Sequence, residues 1–294
     1  AGFSTVNLPG ILGTVGNKLL LDSFTAVEST FEDLADIADF NNFLAYTSYR
    51  LSATGEFAKV GADGEIKHGA LSEDSYTNQL DTRGQMLMLT RRDIINDDLN
   101  ALVQLYKILG RKAKIALEEA VYDAFMEASD VFFTSGRGNL QASSALSITT
   151  LAAAEALMMG QTDADSKPIY AMPAKLVVPP ALKFLAEQIY TSTQLGSGSS
   201  GSPTDNPFRG RFKVVSSPFL SLSGLAGSSA TTWYLFADPA MLPALQVAFL
   251  RGQRAPIVET ADAVFNTLGM GMRCYFDFGV GQVDYRGAVK STAA

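Results

Sequence analysis

Residues 89–127, LTRRDIINDDLNALVQLYKILGRKAKIALEEAVYDAFME, restrict the fold more than any other stretch. Asn96, Asp97 and Asp98 supply the oxygens and negative charge that favour a helix start. After them Leu99, Leu102, Val103, Tyr106, Leu109, Ala113, Leu117, Val121 and Phe125 recur at spacings of three and four, one face of a helix. A helix from about Asp98 to Ala128, at about 1.5 Å per residue, is roughly 45 Å long. Such a length spans a whole domain, so the other elements must pack along it. Gly110, in its middle, marks a bend, and Lys114 and Glu118 form a one-turn pair on the outer side.

The chain has 294 residues, more than a single hydrophobic core commonly serves, so the long helix belongs to one of at least two packed bodies. Its net charge of -7 is uneven: residues 1–100 hold 15 acidic and 7 basic side chains, residues 101–294 hold 15 and 16. Without clustered Lys and Arg, this is not a protein that grips phosphate backbones. Cys274 is the only cysteine, which excludes an intramolecular disulfide and a cysteine metal site. His68 is the only histidine and lies in a polar stretch, GEIKHGALSED, that reads as an exposed loop. No apolar run reaches membrane-spanning length.

Before the long helix come three segments. Residues 1–21 hold Gly2, Pro9, Gly10, Gly13 and Gly16 and read as an extended lead-in lying along another surface. Phe24, Val27, Phe31 and Leu34 then mark an amphipathic helix over about residues 22–38. Residues 50–90 are polar and glycine-rich, with strands at 65–71 and 75–90, the second turning apolar at Met86–Leu89. A strand that is dry only at its base implies a hairpin projecting from a body. An isolated hairpin is marginal in water, so this one needs a partner surface.

After the helix, residues 134–147 read as a small-residue linker, and Thr149 or Thr150 caps a helix that stops at Gly160. Lys175–Val178 reads as a strand ending at Pro179-Pro180, from which a helix runs to about Tyr190. Residues 195–207 match G-x-G-x-x-G by letter, but they follow a helix instead of a strand and read as a loop. Phe212–Val215 and Trp233–Phe236 are strand-like. From Met270 the chain alternates, with Met272, Cys274, Phe276 and Phe278 on one face; Gly279 and Gly281 break it, and Val283–Val289 forms a further strand. The fold class is α+β, with a separate α/β lobe over about 147–245.

No catalytic constellation is found. Glu118 and Glu119 are adjacent on a helix and point apart. Asp163 and Asp165 lack a calcium-loop pattern. No phosphate loop, zinc site or nucleophile elbow is present, so no cofactor and no metal are assigned.

Five stretches in order, LPGILGTVGNKLLLDSF, LTRRDIINDDLNAL, PAKLVVPPALKFLAEQIY, LFADPAMLPALQVAFLRGQRAPIVE and MRCYFDFGVGQVDYRGAVKS, resemble tailed-phage major capsid proteins of the HK97-like fold. The likeness is nearest to the capsid part of prohead protease–capsid fusions and to Mu-type head subunits. The resemblance implies an N-terminal arm (1–50), an E-loop hairpin (51–90), a P-domain spine helix (91–135), an A-domain near the capsomer centre (136–255) and P-domain return strands (256–294). It implies a structural protein of the virion: a shell of pentamers and hexamers, assembled in the host bacterial cytoplasm, that encloses double-stranded DNA without sequence-specific binding. Portal, scaffold or protease, and decoration proteins are the implied partners, and Ala1 is the implied product of a cut in a longer precursor. Lys59, Glu65, Lys67, Glu73, Asp74 and Arg83 are the candidate inter-subunit contacts. Lys59 and Lys67 lie in the E-loop, as crosslinking lysines of one branch do, but no acceptor asparagine or catalytic glutamate is matched here. Two alternatives stand beside this reading: an encapsulin-like nanocompartment shell, and a soluble enzyme with a hidden site.

Overall fold

The computed structural model describes residues 8–54, 70–90, 99–126, 132–163, 165–195, 204–262 and 269–293. The first half of the chain supplies α1 (Leu8–Thr25), a single helical turn at Phe31–Leu34, β1 (Ala35–Phe40), β2 (Tyr46–Thr54), β3 (Ala70–Asn78), β4 (Asp81–Thr90) and the long helix α2 (Leu99–Met126). Then come β5 (Leu140–Gln141), α3 (Ile148–Met159), β6 (Pro173–Val178), α4 (Pro180–Thr191), β7 (Gln194–Leu195), β8 (Thr204–Asp205), β9 (Lys213–Ser216) and β10 (Trp233–Ala237). The chain closes with β11 (Leu245–Leu250), β12 (Ile257–Asp262), β13 (Gly269–Gln282) and β14 (Ala288–Ser291).

Two five-stranded sheets share the long helix. In the first, β13 is central: β4 pairs with its Gly269–Phe278 part, β12 with Met270–Tyr275 and β11 with Phe278–Gln282, and β1 adds parallel to β11. The second runs β5-β14-β10-β6-β9. Its strand β10 is buried on both faces, and the alternation of a strand divides the two sides. Tyr234 and Phe236 face the α2 side, packing on Phe125 at centroid distances of 5.0 and 5.3 Å. Trp233 and Leu235 face the other way, into a core with Leu151, Ala154 and Met158 of α3 and Ala186 and Ile189 of α4. The main core joins Leu117, Val121 and Phe125 of α2 to Phe249, Phe276 and Phe278 of the first sheet.

Several expectations hold. The long helix is there, and Met272, Cys274, Phe276 and Phe278 are all buried on its side of β13. The strand ending at Pro179 and the helix after it are β6 and α4, with Pro179 at the cap and Pro180 at the first turn. The helix stopped at Gly160 is α3, though its cap is Ser147, whose hydroxyl accepts from Thr150 N while the Thr150 side chain reaches back.

Other expectations are corrected. The lead-in is helical from Leu8, not extended, because its glycine spacing serves a helix crossing: a β-carbon on Gly16 would collide with the Tyr106 ring, and one on Gly110 with the Leu20 carbonyl and Ser23. Gly110 is therefore where α1 lies against α2. The helix expected over 22–38 is replaced: α1 ends at Thr25, and Ala35–Phe40 is a strand because it finds β11 to pair with. The strand expected over 75–90 is two strands interrupted at Gln79 and Leu80, and β4 belongs to the first sheet. Of the strand expected at 65–71, the described part begins at Ala70, in β3. Gly279 and Gly281 do not break β13, which runs to Gln282. The strand expected at Val283–Val289 begins only at Ala288, after a turn in which Asp284 accepts from Arg286 N. Lys114 and Glu118 are buried, not on the outer side.

Candidate assembly surfaces

The hairpin β2–β3 pairs Tyr46 with Asn78 at its base and Thr54 with Ala70 at the end of the described ladder, and among the described residues it joins no other strand. Its root rests on a small core of Phe40, Leu80 and Ala248, with the Tyr46 ring 4.7 Å from Phe40. Asn78 is buried there and its amide donates to the main-chain and side-chain oxygens of Gln246, each at 3.4 Å. The seat is flat because β13 carries glycine beneath it. A β-carbon on Gly281 would come within 2.9 Å of Asn78 Cγ, and one on Gly279 would strike the Gln79 carbonyl. Around this root Phe43, Leu44, Tyr46 and Tyr49 are exposed. Side chains of that size in water mark a surface that another chain covers.

The segment between α1 and β1 is fastened to the long helix by two charges inside the protein. Glu118 accepts from Thr30 N at 2.8 Å, from the hydroxyls of Ser29 and Thr30 at 2.9 and 2.7 Å, and from Phe31 N at 3.4 Å. It thereby caps the turn at Phe31–Leu34. One turn earlier the Lys114 ammonium lies 4.8 and 4.7 Å from the ring centres of Phe24 and Phe31. Burial pulls the Lys114 pKa below its ordinary 10.5, against the pull of Glu118 and Glu32. The same segment is tied to the second sheet by Asp33, which accepts from Lys175 of β6 and Lys213 of β9. Burial works to raise the Asp33 pKa, but those two lysines outweigh it and hold it below 3.8. Tyr122, beside Thr30, is pushed up to about 12 by burial.

Of the six contact residues named from sequence, Lys59, Glu65 and Lys67 lie outside the described residues, as does His68. Glu73 and Asp74 stand on β3 opposite Leu51 and Arg50. Arg83 stands on β4, exposed, with its guanidinium 5.0 Å from the Phe278 ring centre. It lines a groove between α2 and the β4–β13 pair, with Lys112, Ala113 and Ala116 on the helix side and Cys274 and Phe276 on the sheet side. Of the three described, Glu73 and Asp74 belong to the hairpin and Arg83 to the first sheet. The exposed apolar residues of the second sheet's lobe, above all Phe184 and Tyr170, are not among the six. The signal for Phe184 was available: it lies off the Leu182–Ala186–Ile189 stripe of its helix.

Cys274 is buried, and burial pushes its thiol up to about 11. Among the described residues no helix is long and apolar enough to cross a membrane.

A family model described as phage capsid protein matches residues 74–291. No curated protein sequence matches the chain. Among solved structures, the fold is similar to the capsid of cyanophage P-SCSP1u (TM-score 0.58, 12% identity, covering 91% of this chain and 88% of that one). It is similar to the capsid of Helicobacter pylori bacteriophage KHP30 (TM-score 0.58, 10% identity, 90% and 91%). It is also similar to a virus-like particle from Pyrococcus furiosus (TM-score 0.54, 12% identity, 95% and 98%). These likenesses establish the HK97-like fold, and the family match, over most of the chain, establishes the role. The chain belongs to the phage capsid protein family: it is a structural protein of the virion, a major capsid subunit that builds a phage head from many copies of itself.

Proposed function

We propose that this chain assembles in the host bacterial cytoplasm into pentamers and hexamers of a tailed-phage head around double-stranded DNA. In this reading the stretch 1–50 is an arm, 51–90 the E-loop hairpin, 91–135 the spine, 136–255 the A-domain and 256–294 the return strands. Portal, scaffold or protease, and decoration proteins complete the head. Lys59, Glu65, Lys67, Glu73, Asp74 and Arg83 set register between subunits more than raw affinity. The observation that carries the reading is the self-paired hairpin, rooted on Gly279 and Gly281 and ringed by exposed aromatic side chains. Ordering its residues costs about 1–2 kcal/mol each in backbone entropy, which a two-stranded ladder does not offset, so a neighbouring copy supplies the rest.

The test is to replace residues 47–77 by a short Gly/Ser linker. This keeps Asn78 at the root and leaves β4 in its sheet. The expected product is a soluble subunit with a near-normal melting transition and no shells; complete particles would sink the proposal. A shell of this fold can be tested directly for what it encloses. Duplex DNA inside native particles supports the phage head, whereas a copurifying enzyme supports a nanocompartment.

A further inference from the structure

We propose that the lobe built on the second sheet carries the two halves of a ring contact. Phe184 and Lys183 of one copy seat against Tyr170, Met172, Met241 and Asp238 of the next. This rests on the reading that rings of this chain build the shell.

A ring of identical chains is held by a heterologous contact, so each subunit must present two unlike surfaces that fit one another. The lobe has two such surfaces. On α4, Ala186 and Ile189 are buried against the sheet while Phe184, on the opposite side, is 78% exposed. Lys183 beside it makes only a 3.8 Å pair with Glu187, both well exposed, and such a pair holds little. The other surface lies where β6 begins and β10 ends. Pro173 pairs with Ala237, bringing Met172 next to Asp238 and the turn that carries Met241. Tyr170 and Met241 are 76% and 78% exposed, and Met172 is exposed beside them. Unbranched methionines adapt to an incoming aromatic ring. Tyr170 is also held at a φ of 54°, where a β-carbon is disfavoured. The lobe thus keeps a strained backbone that turns a large ring outward. Asp238 is exposed and makes no ion pair among the described residues. One surface therefore offers an aromatic ring and a lysine held only by the weak pair with Glu187, the other a tyrosine, two methionines and an aspartate. Apolar and charged parts match together, which favours a second copy over an unrelated partner.

Cysteine crosslinking tests this, because the one native thiol, Cys274, is buried and its pKa is pushed to about 11. A disulfide needs Cα atoms within about 7 Å. Shells of the full-length F184C/M172C double variant, mildly oxidised and denatured, should give a ladder of covalent multimers, while either single variant stays monomeric. Shells without a ladder, or F184C crosslinking to itself, would overturn the pairing. If the double variant does not assemble, charge reversal decides. K183E and D238K should each slow assembly about tenfold or more, as like charges facing each other do, and the two together should restore it. Equal behaviour of all three also overturns the pairing. Wild-type protein that forms no shells at all counts against the shell reading itself and not against this contact.

Discussion

At the scale of single residues, the most informative are the two charges that the helix wheel put outside and the structure puts inside. Removing one partner of a buried charged network leaves the rest unpaired, which costs about 3–5 kcal/mol. Glu118→Ala strips acceptors from Thr30 N, Phe31 N and two hydroxyls, so urea unfolding should show a loss of that order. Lys114→Met keeps the packing between Phe24 and Phe31 and sheds a desolvated charge, but it takes a favourable positive charge from Glu118, so it should destabilise less than Glu118→Ala. The pH dependence has a definite sign. The folded Lys114 pKa is below its ordinary 10.5, so between the two values the unfolded chain binds more protons, and stability attributable to this group rises with pH. Subtracting the K114M curve from the wild-type curve should isolate that rise; a fall across the same window would contradict the buried lysine. Asp33 acts with the same sign at the acid end, because its folded pKa is also lowered. Its ties to Lys175 and Lys213 contribute above the ordinary carboxylate range and are lost as pH falls through its lowered pKa, so Asp33→Asn should flatten the acid limb of the stability curve.

At the scale of elements, what the sequence revealed and what it hid have a common physical cause. Helix α2 and strand β13 were legible because each buries one regular face, and periodicity reports burial; β6, buried on both sides, was legible as a short apolar run closed by Pro179 and Pro180. The N-terminal segment was not, because glycine and proline counts report backbone freedom and not the neighbour that removes it. Gly16 and Gly110 read as breakers, yet they are the close approach of two helices. Gly110→Ala discriminates between the two meanings. On helix propensity alone it should stabilise by about 1 kcal/mol. A β-carbon against the Leu20 carbonyl should instead cost about 1–3 kcal/mol, measurable as a lower midpoint in urea. Similarly, Gly279 and Gly281 read as a break in a strand because the sequence does not disclose that Asn78 crosses above them. The candidate contact set was the least legible. Charges in a hairpin name no partner, and exposed apolar residues such as Phe184 become visible only once the buried faces are known.

At the scale of the whole molecule, the described residues divide their apolar surface between four cores and side chains left for neighbours. Leu44, Tyr49, Tyr170, Phe184 and Met241 are each more than 60% exposed, and they are spread over the hairpin root and the lobe. Stable permanent interfaces commonly bury more than about 2,000 Å², and surfaces so distributed supply that area only when several copies meet at once. The direct test is electron microscopy, with sedimentation, of the purified full chain across concentration and salt. Closed shells of uniform size, in equilibrium with capsomers, are the expected result. Monomer alone under every condition would contradict the account.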